Sequence, residues 1–231
     1  MHVELSKLPM DSFKDLAKHY LMIVLGILTA LGLESWIEHV HHQHAAQAAS
    51  AQIDAEIRQN RVEIQRMQLH DSERMQSLQK LRDILLNDVK TNASNAAITQ
   101  HIHDAAPDGI YLDWRWPVLR HEAWDVAVAN QSASWIDSEQ LHRYASVYAA
   151  QSASTAILSE DIPMLIDGPK MIDTTLDLQT DNFQPRELLH VVNQMVWVTS
   201  EVTHNLENLA NRVDAAMPGI APASAISTAA H

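Results

Sequence analysis

Apolar residues run without a charged neighbour from Tyr20 to Leu33 (YLMIVLGILTALGL), and beyond that run they settle into a 3-4 alternation. The uncharged run is about 21 Å long as a helix, short of the roughly 30 Å hydrocarbon core of a bilayer. Extending it to residues 16–37 gives about 33 Å. The extension brings in Lys18, His19 and Glu34 near the ends, where a lysine can snorkel to water. Tyr20 and Trp36 fall where aromatic belts form. The pattern predicts a transmembrane signal anchor over 16–37. A cleaved signal peptide is the competing reading, with Ala30-Leu31-Gly32 as a cleavage-like triplet, but Glu4, Asp11 and Asp15 do not suit a cationic leader. A buried helix of a soluble core is the third.

Between Gly32 and Pro107 there is neither glycine nor proline. Such a stretch predicts one long helix, or two with a weak joint. Residues 38–52 form a His-rich neck that becomes Ala/Gln-rich. Ile53, Ile57, Ile64, Met67, Leu78, Leu81 and Leu85 then mark one face, interrupted by Asn60, Asp71 and Arg74. An interrupted seam suits a bundle face or a short coiled coil, and polar seam positions can select register. The run 91–95 (TNASN) predicts a break, followed by a short helix to about Ala105. A loop over 107–117 carries a turn signal at Asp108-Gly109 and the aromatics Tyr111, Trp114 and Trp116. A helix is expected over 118–130. Asp137 with Gln140 predicts a capping box that starts a helix past Tyr144 and Tyr148, to be kinked or ended by Pro163 and Gly168-Pro169. The clearest stripe is the last. Pro185 suits a first helical turn, and Leu188, Val192, Met195, Thr199, Val202, Leu206, Leu209 and Val213 follow at 3-4 spacing.

The expected fold is all-α: an N-terminal transmembrane helix continuing into a long helix, followed by a helical bundle. Its divisions are a cytoplasmic tail (1–15), the anchor (16–37), the neck (38–52), a helical exterior domain (53–216) and a disordered tail (217–231). Composition agrees with helices, since only 5 of the 231 residues are glycine. Lys7, Lys14 and Lys18 precede the uncharged run 20–33, and the next Lys or Arg after it is Arg58. This asymmetry places the N-terminus in the cytoplasm and the C-terminal domain in the periplasm, at a bacterial inner membrane. The formal charge is −13, and all of the excess lies after Lys18. Such a domain repels nucleic acid, so no nucleic-acid partner is expected. With no cysteine there is no disulfide, thiolate metal site or cysteine nucleophile.

The anchor sequence Gly26-Ile27-Leu28-Thr29-Ala30-Leu31 with a later Trp36 resembles a family of bacterial single-span inner-membrane proteins. That family has a GIL-x-AL anchor and a helical exterior domain. The stretches 38–44 (EHVHHQH), Ala123-Trp124-Asp125, Arg143-Tyr144 and 148–151 (YAAQ) are similar to it as well. The resemblance implies the topology and carries no particular activity.

Some constellations could carry chemistry. His39, His41, His42 and His44 are a candidate site for a divalent transition metal. On a helix His41 and His44 share a face, as do Glu38 and His42, and imidazole binds zinc, copper or nickel. The bland alternatives are a solvated juxtamembrane helix and a pH-sensitive patch. His121-Glu122-Ala123-Trp124-Asp125 is close to the HExxH helix of zinc hydrolases, with aspartate replacing the second histidine. An ordinary amphipathic helix, with Trp124, Val126 and Val128 partly facing a core, is the favoured reading, since no third ligand accompanies the pair. Ile57, Ile64, Tyr111, Trp114 and Trp116 are candidate partner-interface residues, because aromatics dominate binding hot spots and the 53–85 stripe could pair with a second copy. The sequence has no phosphate loop, nucleophile elbow or dinucleotide fingerprint. The functional expectation is therefore a membrane-anchored interaction or scaffold protein without catalysis or a required cofactor. It would associate with itself or bind a protein partner. A ligand-binding sensor domain acting through a partner is the alternative, and a metal-dependent hydrolase ranks last.

Overall fold

The computed structural model describes residues 10–220 apart from 108, 165 and 181, and among them all regular structure is helical. Helix α1 runs unbroken over Met10–Thr91, 82 residues, about 120 Å. It thus begins within the expected tail and passes without a joint through the expected anchor and neck. It stops where predicted. Asn92 takes a left-handed φ of 51°, a conformation that Asn tolerates better than most residues. The Ala93 amide then closes the end on the Asp88 carbonyl at 3.0 Å. Ser94 caps the next helix, α2 (Asn95–Ala105), by accepting from the Ala97 amide.

Four further helices follow: α3 (Glu122–Ala129), α4 (Ser138–Ala156), α5 (Gly168–Gln179) and α6 (Pro185–Ala216). A 3-10 turn, Ser132–Trp135, joins α3 to α4, and a π-helical turn at Ile157–Asp161 continues α4 just ahead of Pro163. Asp137 caps α4 as predicted, accepting from the Glu139 and Gln140 amides. The reciprocal half of the capping box is replaced, because the Gln140 side chain donates forward to the Tyr144 hydroxyl instead.

Helix α6 lies antiparallel to α1. Leu188, Val191, Val192 and Met195 pack with Leu78, Leu81 and Leu85 at the end far from the apolar segment 16–37. Val198, Val202, Leu206, Leu209 and Val213 pack with Ile53, Ile57, Ile64 and Met67 at the near end. The buried Arg61 guanidinium grips Asp214 with two bonds of 2.8 and 2.9 Å, which fixes the register of this pairing. Helix α4 runs parallel to α1: Tyr144 meets Asp54, Tyr148 meets Glu56 and Gln151 meets Asn60. Asn205 on α6 closes the triangle by donating to the Ser154 carbonyl. The near half is thus a three-helix bundle, and α2 with α5 completes the far half through Ile98, Ile102 and Met171. Each large aliphatic side chain taken fully out of water stabilises the fold by about 1.5–3 kcal/mol.

Two expectations change. Ile57 and Ile64 are 0 % exposed inside this chain's own core, so they are not surface positions open to a partner. Helix α6 carries a better stripe than a second copy of α1 would, and it satisfies them within one chain. The disordered tail expected over 217–231 is corrected at its first four residues, which the structure describes. Ile220 is buried in the near core, and its amide bonds to the Met217 carbonyl. Residues 1–9 and 221–231, the outer parts of the two expected tails, lie outside the described residues, as does Asp108 of the predicted turn. Gly109, beside it, takes a φ of 95°, which only glycine adopts without strain.

Candidate functional site

Between α2 and α3 the chain runs as a strap over 109–121, descending along α1 toward the apolar segment 16–37. A strap packed on a helix must find partners for its backbone groups, since each one buried unpaired costs about 1–3 kcal/mol. Polar residues of α1 supply them. Arg74 donates to the Tyr111 carbonyl, and its guanidinium lies 4.2 Å from the centre of the Tyr111 ring. Asp71 accepts from the Arg115 amide at 2.8 Å. Asn60 holds both backbone groups of Arg120, accepting from the amide at 2.9 Å and donating to the carbonyl at 2.7 Å. Glu56 accepts from the Ala123 amide at 2.9 Å. It caps α3 from another helix, a role that the local residue, His121, leaves open.

Asp71 is fully buried, and burial pushes its carboxyl above the usual carboxylate range against the opposing pull of His70. His70 bridges Asp71 at 3.0 Å and Asp113 at 3.4 Å. Lower down, the Tyr144 hydroxyl donates to Asp54 at 2.8 Å, and the Tyr148 hydroxyl donates to Glu56 at 2.5 Å. Burial and the facing carboxylates push Tyr144 up to about 12 and Tyr148 higher still. Both phenols therefore stay protonated at neutral pH and act as fixed donors. Most of the array's polar groups hold the strap, α3 and α4 on α1, while Asp71 Oδ2, Arg74 Nε and Gln151 Nε2 are buried without a hydrogen-bond partner among the described residues.

The structure disperses the histidines of the neck. His39 pairs with Gln43 on its own helix at 2.9 Å, His41 and His44 are exposed, and His42 stacks flat on Trp135 with ring centres 3.6 Å apart. Among the described residues no three His, Asp or Glu side chains converge as a metal cage. His121 and Asp125 do share a face, bonded to each other at 2.6 Å on the surface. That bond raises the His121 pKa. Of the aromatic loop, Trp114 and Trp116 pack against the near core, whereas Tyr111 stays half exposed. Tyr111 borders an open apolar groove of about 500 Å³ together with Ile110, Met171, Ile172, Leu176 and Met195. A second, more polar hollow of about 730 Å³ lies between the end of α1 and α2, beside the Asp88–His101 pair.

Sequence reasoning read Asn60 and Asp71 as breaks in a seam and missed their role as clamps. The nearest available signal was that these breaks fall on an otherwise apolar face of a helix facing a loop rich in aromatics. It also missed the His42–Trp135 contact, which joins residues distant in sequence. Comparison with protein-family models, with curated proteins and with solved structures finds no match.

Proposed function

We propose that this protein is a membrane-anchored helical scaffold. A single span over 16–37 would hold a rigid bundle outside the bilayer, where it works by contact rather than by catalysis. The observation that carries the reading is the state of α1 before the bundle. It is the one described helix long and apolar enough to cross a membrane, and in its most apolar window nothing is buried by the rest of the chain. Leu21, Ile23, Leu25, Leu28, Leu31 and Leu33 are each more than half exposed. A lipid phase would remove that surface from water at no cost to the bundle. The lysine asymmetry supports a cytoplasmic N-terminus and a periplasmic bundle. Carbonate washing of membranes tests the anchor, and release of full-length protein would refute it. Alkaline phosphatase fused after Ala105 tests the side: activity is expected, and an inactive fusion with a fluorescent cytoplasmic counterpart would reverse the topology.

Self-association belongs to the same reading, through the outward face of α1 rather than through Ile57 and Ile64. Ala48, Ala55, Val62 and Leu69 recur at seven-residue spacing and are all exposed. Anchored chains would stand parallel at high local concentration, which strengthens a weak seam. Val62→Asp with Leu69→Asp is expected to yield a folded monomer in mild detergent. A wild-type monomer at micromolar concentration would end this part of the reading. The groove beside Tyr111 favours a second reading, a ligand-binding module acting through a partner. Binding of apolar probes that Tyr111→Ala and Leu176→Asp both abolish would support it.

A further inference from the structure

The end of the bundle nearest the anchor differs in chemistry from the rest of an acidic chain. From Val126 to Ile136 (VAVANQSASWI) there is no charged residue, although the net charge of the protein is −13. This stretch runs from the body of α3 down to the part of the domain that meets the neck. Ala123 is held at the level of Glu56, and by Trp135 the chain has descended to the level of His42. Within it Val126, Val128 and Trp135 are 54, 52 and 51 % exposed, and Asn130, Gln131 and Ser134 are exposed as well. Val126 and Val128 lie higher, on α3, whereas Ser134 and Trp135 lie at the foot, with the exposed Asp137 as the nearest acidic neighbour.

Its height is set by α1. His42 stands five residues beyond Ile37, about 7.5 Å further along the helix axis. The headgroup layer on each side of the hydrocarbon is itself about 5–8 Å thick. A ring stacked flat on His42 therefore sits at the outer edge of that layer, where the amphipathic indole is favoured. We infer that the turn at residues 131–136 forms a second membrane contact, in which Trp135, braced by His42, rests in the headgroup layer. The partner is the neutral interfacial zone of the bilayer. The inference rests on the proposed anchoring, and it adds that the bundle is seated on the lipid surface rather than held clear of it by the neck. The acidic remainder favours seating by this end alone, since anionic headgroups repel the other faces.

The chain has no native cysteine, so single cysteines can carry a polarity-sensitive fluorophore in the full-length protein. Three positions are needed in phosphatidylcholine vesicles: Leu28→Cys in the span, Ser134→Cys beside Trp135, and Ala96→Cys at the far end of the bundle. Ser134 and Ala96 are exposed, so neither label disturbs the core, and circular dichroism verifies each fold. Lipids with a nitroxide on the headgroup should quench the label at 134 and leave 96 bright, while lipids with a mid-chain nitroxide should quench 28. Adding Trp135→Ala to the Ser134→Cys protein should restore much of the lost fluorescence. A quenched 28 with 134 as bright as 96 overturns the inference and leaves the anchor standing. An unquenched 28 refutes the anchor itself, and this contact with it.

Discussion

Residues 16–37 and residues 46–88 belong to one helix, yet they solve opposite problems. The first stretch is apolar on every side, and this chain covers none of it. The second carries its main apolar stripe on one face, and α4 and α6 in the near half, with α2, α5 and α6 in the far half, cover that stripe. Its polar interruptions are also used, each holding a backbone group of the strap or a side chain of a neighbour. Helix propensity is shared by both stretches and distinguishes neither. What separates them is whether apolar residues surround the axis or form a stripe, and whether the polar residues have partners within the chain.

The comparison is broken most strongly by removing volume from one stretch and not the other. Ile64→Ala should cost about 2–5 kcal/mol of bundle stability, because a fully buried site collapses incompletely. Leu28→Ala in the anchor should leave the urea midpoint of the bundle unchanged. Equal losses would mean that the anchor packs on the bundle. Asn60→Ala ranks next. It strands the amide and carbonyl of Arg120, at about 1–3 kcal/mol for each group left buried. Faster proteolysis within 107–121, ahead of global unfolding, is the expected signature.

Asp71 sharpens the contrast through pH. The unfolded chain releases this proton near the ordinary value of 3.8, whereas burial makes the folded chain hold it to higher pH. The folded state therefore binds more protons in that window, and stability falls as pH rises from 3.8 through the raised value. Asp71→Asn should flatten that part of the profile when denaturation midpoints are compared across it. An unchanged profile would place the slope elsewhere. The smallest effect is expected at the end of the helix. Ser94→Ala removes the cap of α2 and should cost about 1 kcal/mol, read as a modest fall in the thermal midpoint.

These assignments show which physical signals a sequence displays. The α6 stripe was legible because sustained 3-4 spacing over many turns has only one good solution in water. The end of α1 was legible because Thr91-Asn92-Ala93-Ser94 combines a left-handed stop with a cap. Asn60 and Asp71 were misread because a polar residue in an apolar stripe looks the same whether it faces a second helix or an extended backbone. The onset of α3, expected at 118, moves to Glu122 because Asn60 ties Arg120 into the strap. Helix α5 was missed because Gly168-Pro169 was read only as a stop. Asp167 just before it accepts from the Lys170 amide, which makes the same residues a start. The candidate surfaces were the least legible. Tyr111 could be named, but the groove it borders and the stack of Trp135 on His42 depend on how distant segments meet.

Because α1 has no joint from Met10 to Thr91, the azimuth of the bundle about the helix axis is geared to the azimuth of residues 16–37. One residue inserted between Ile37 and His42 would turn the whole bundle by about 100° and raise it by about 1.5 Å. Seven inserted residues would nearly restore the angle, at about 10 Å greater height. Length and phase of the neck are therefore separate dials, and graded insertions there can tell a function that depends on reach from one that depends on heading.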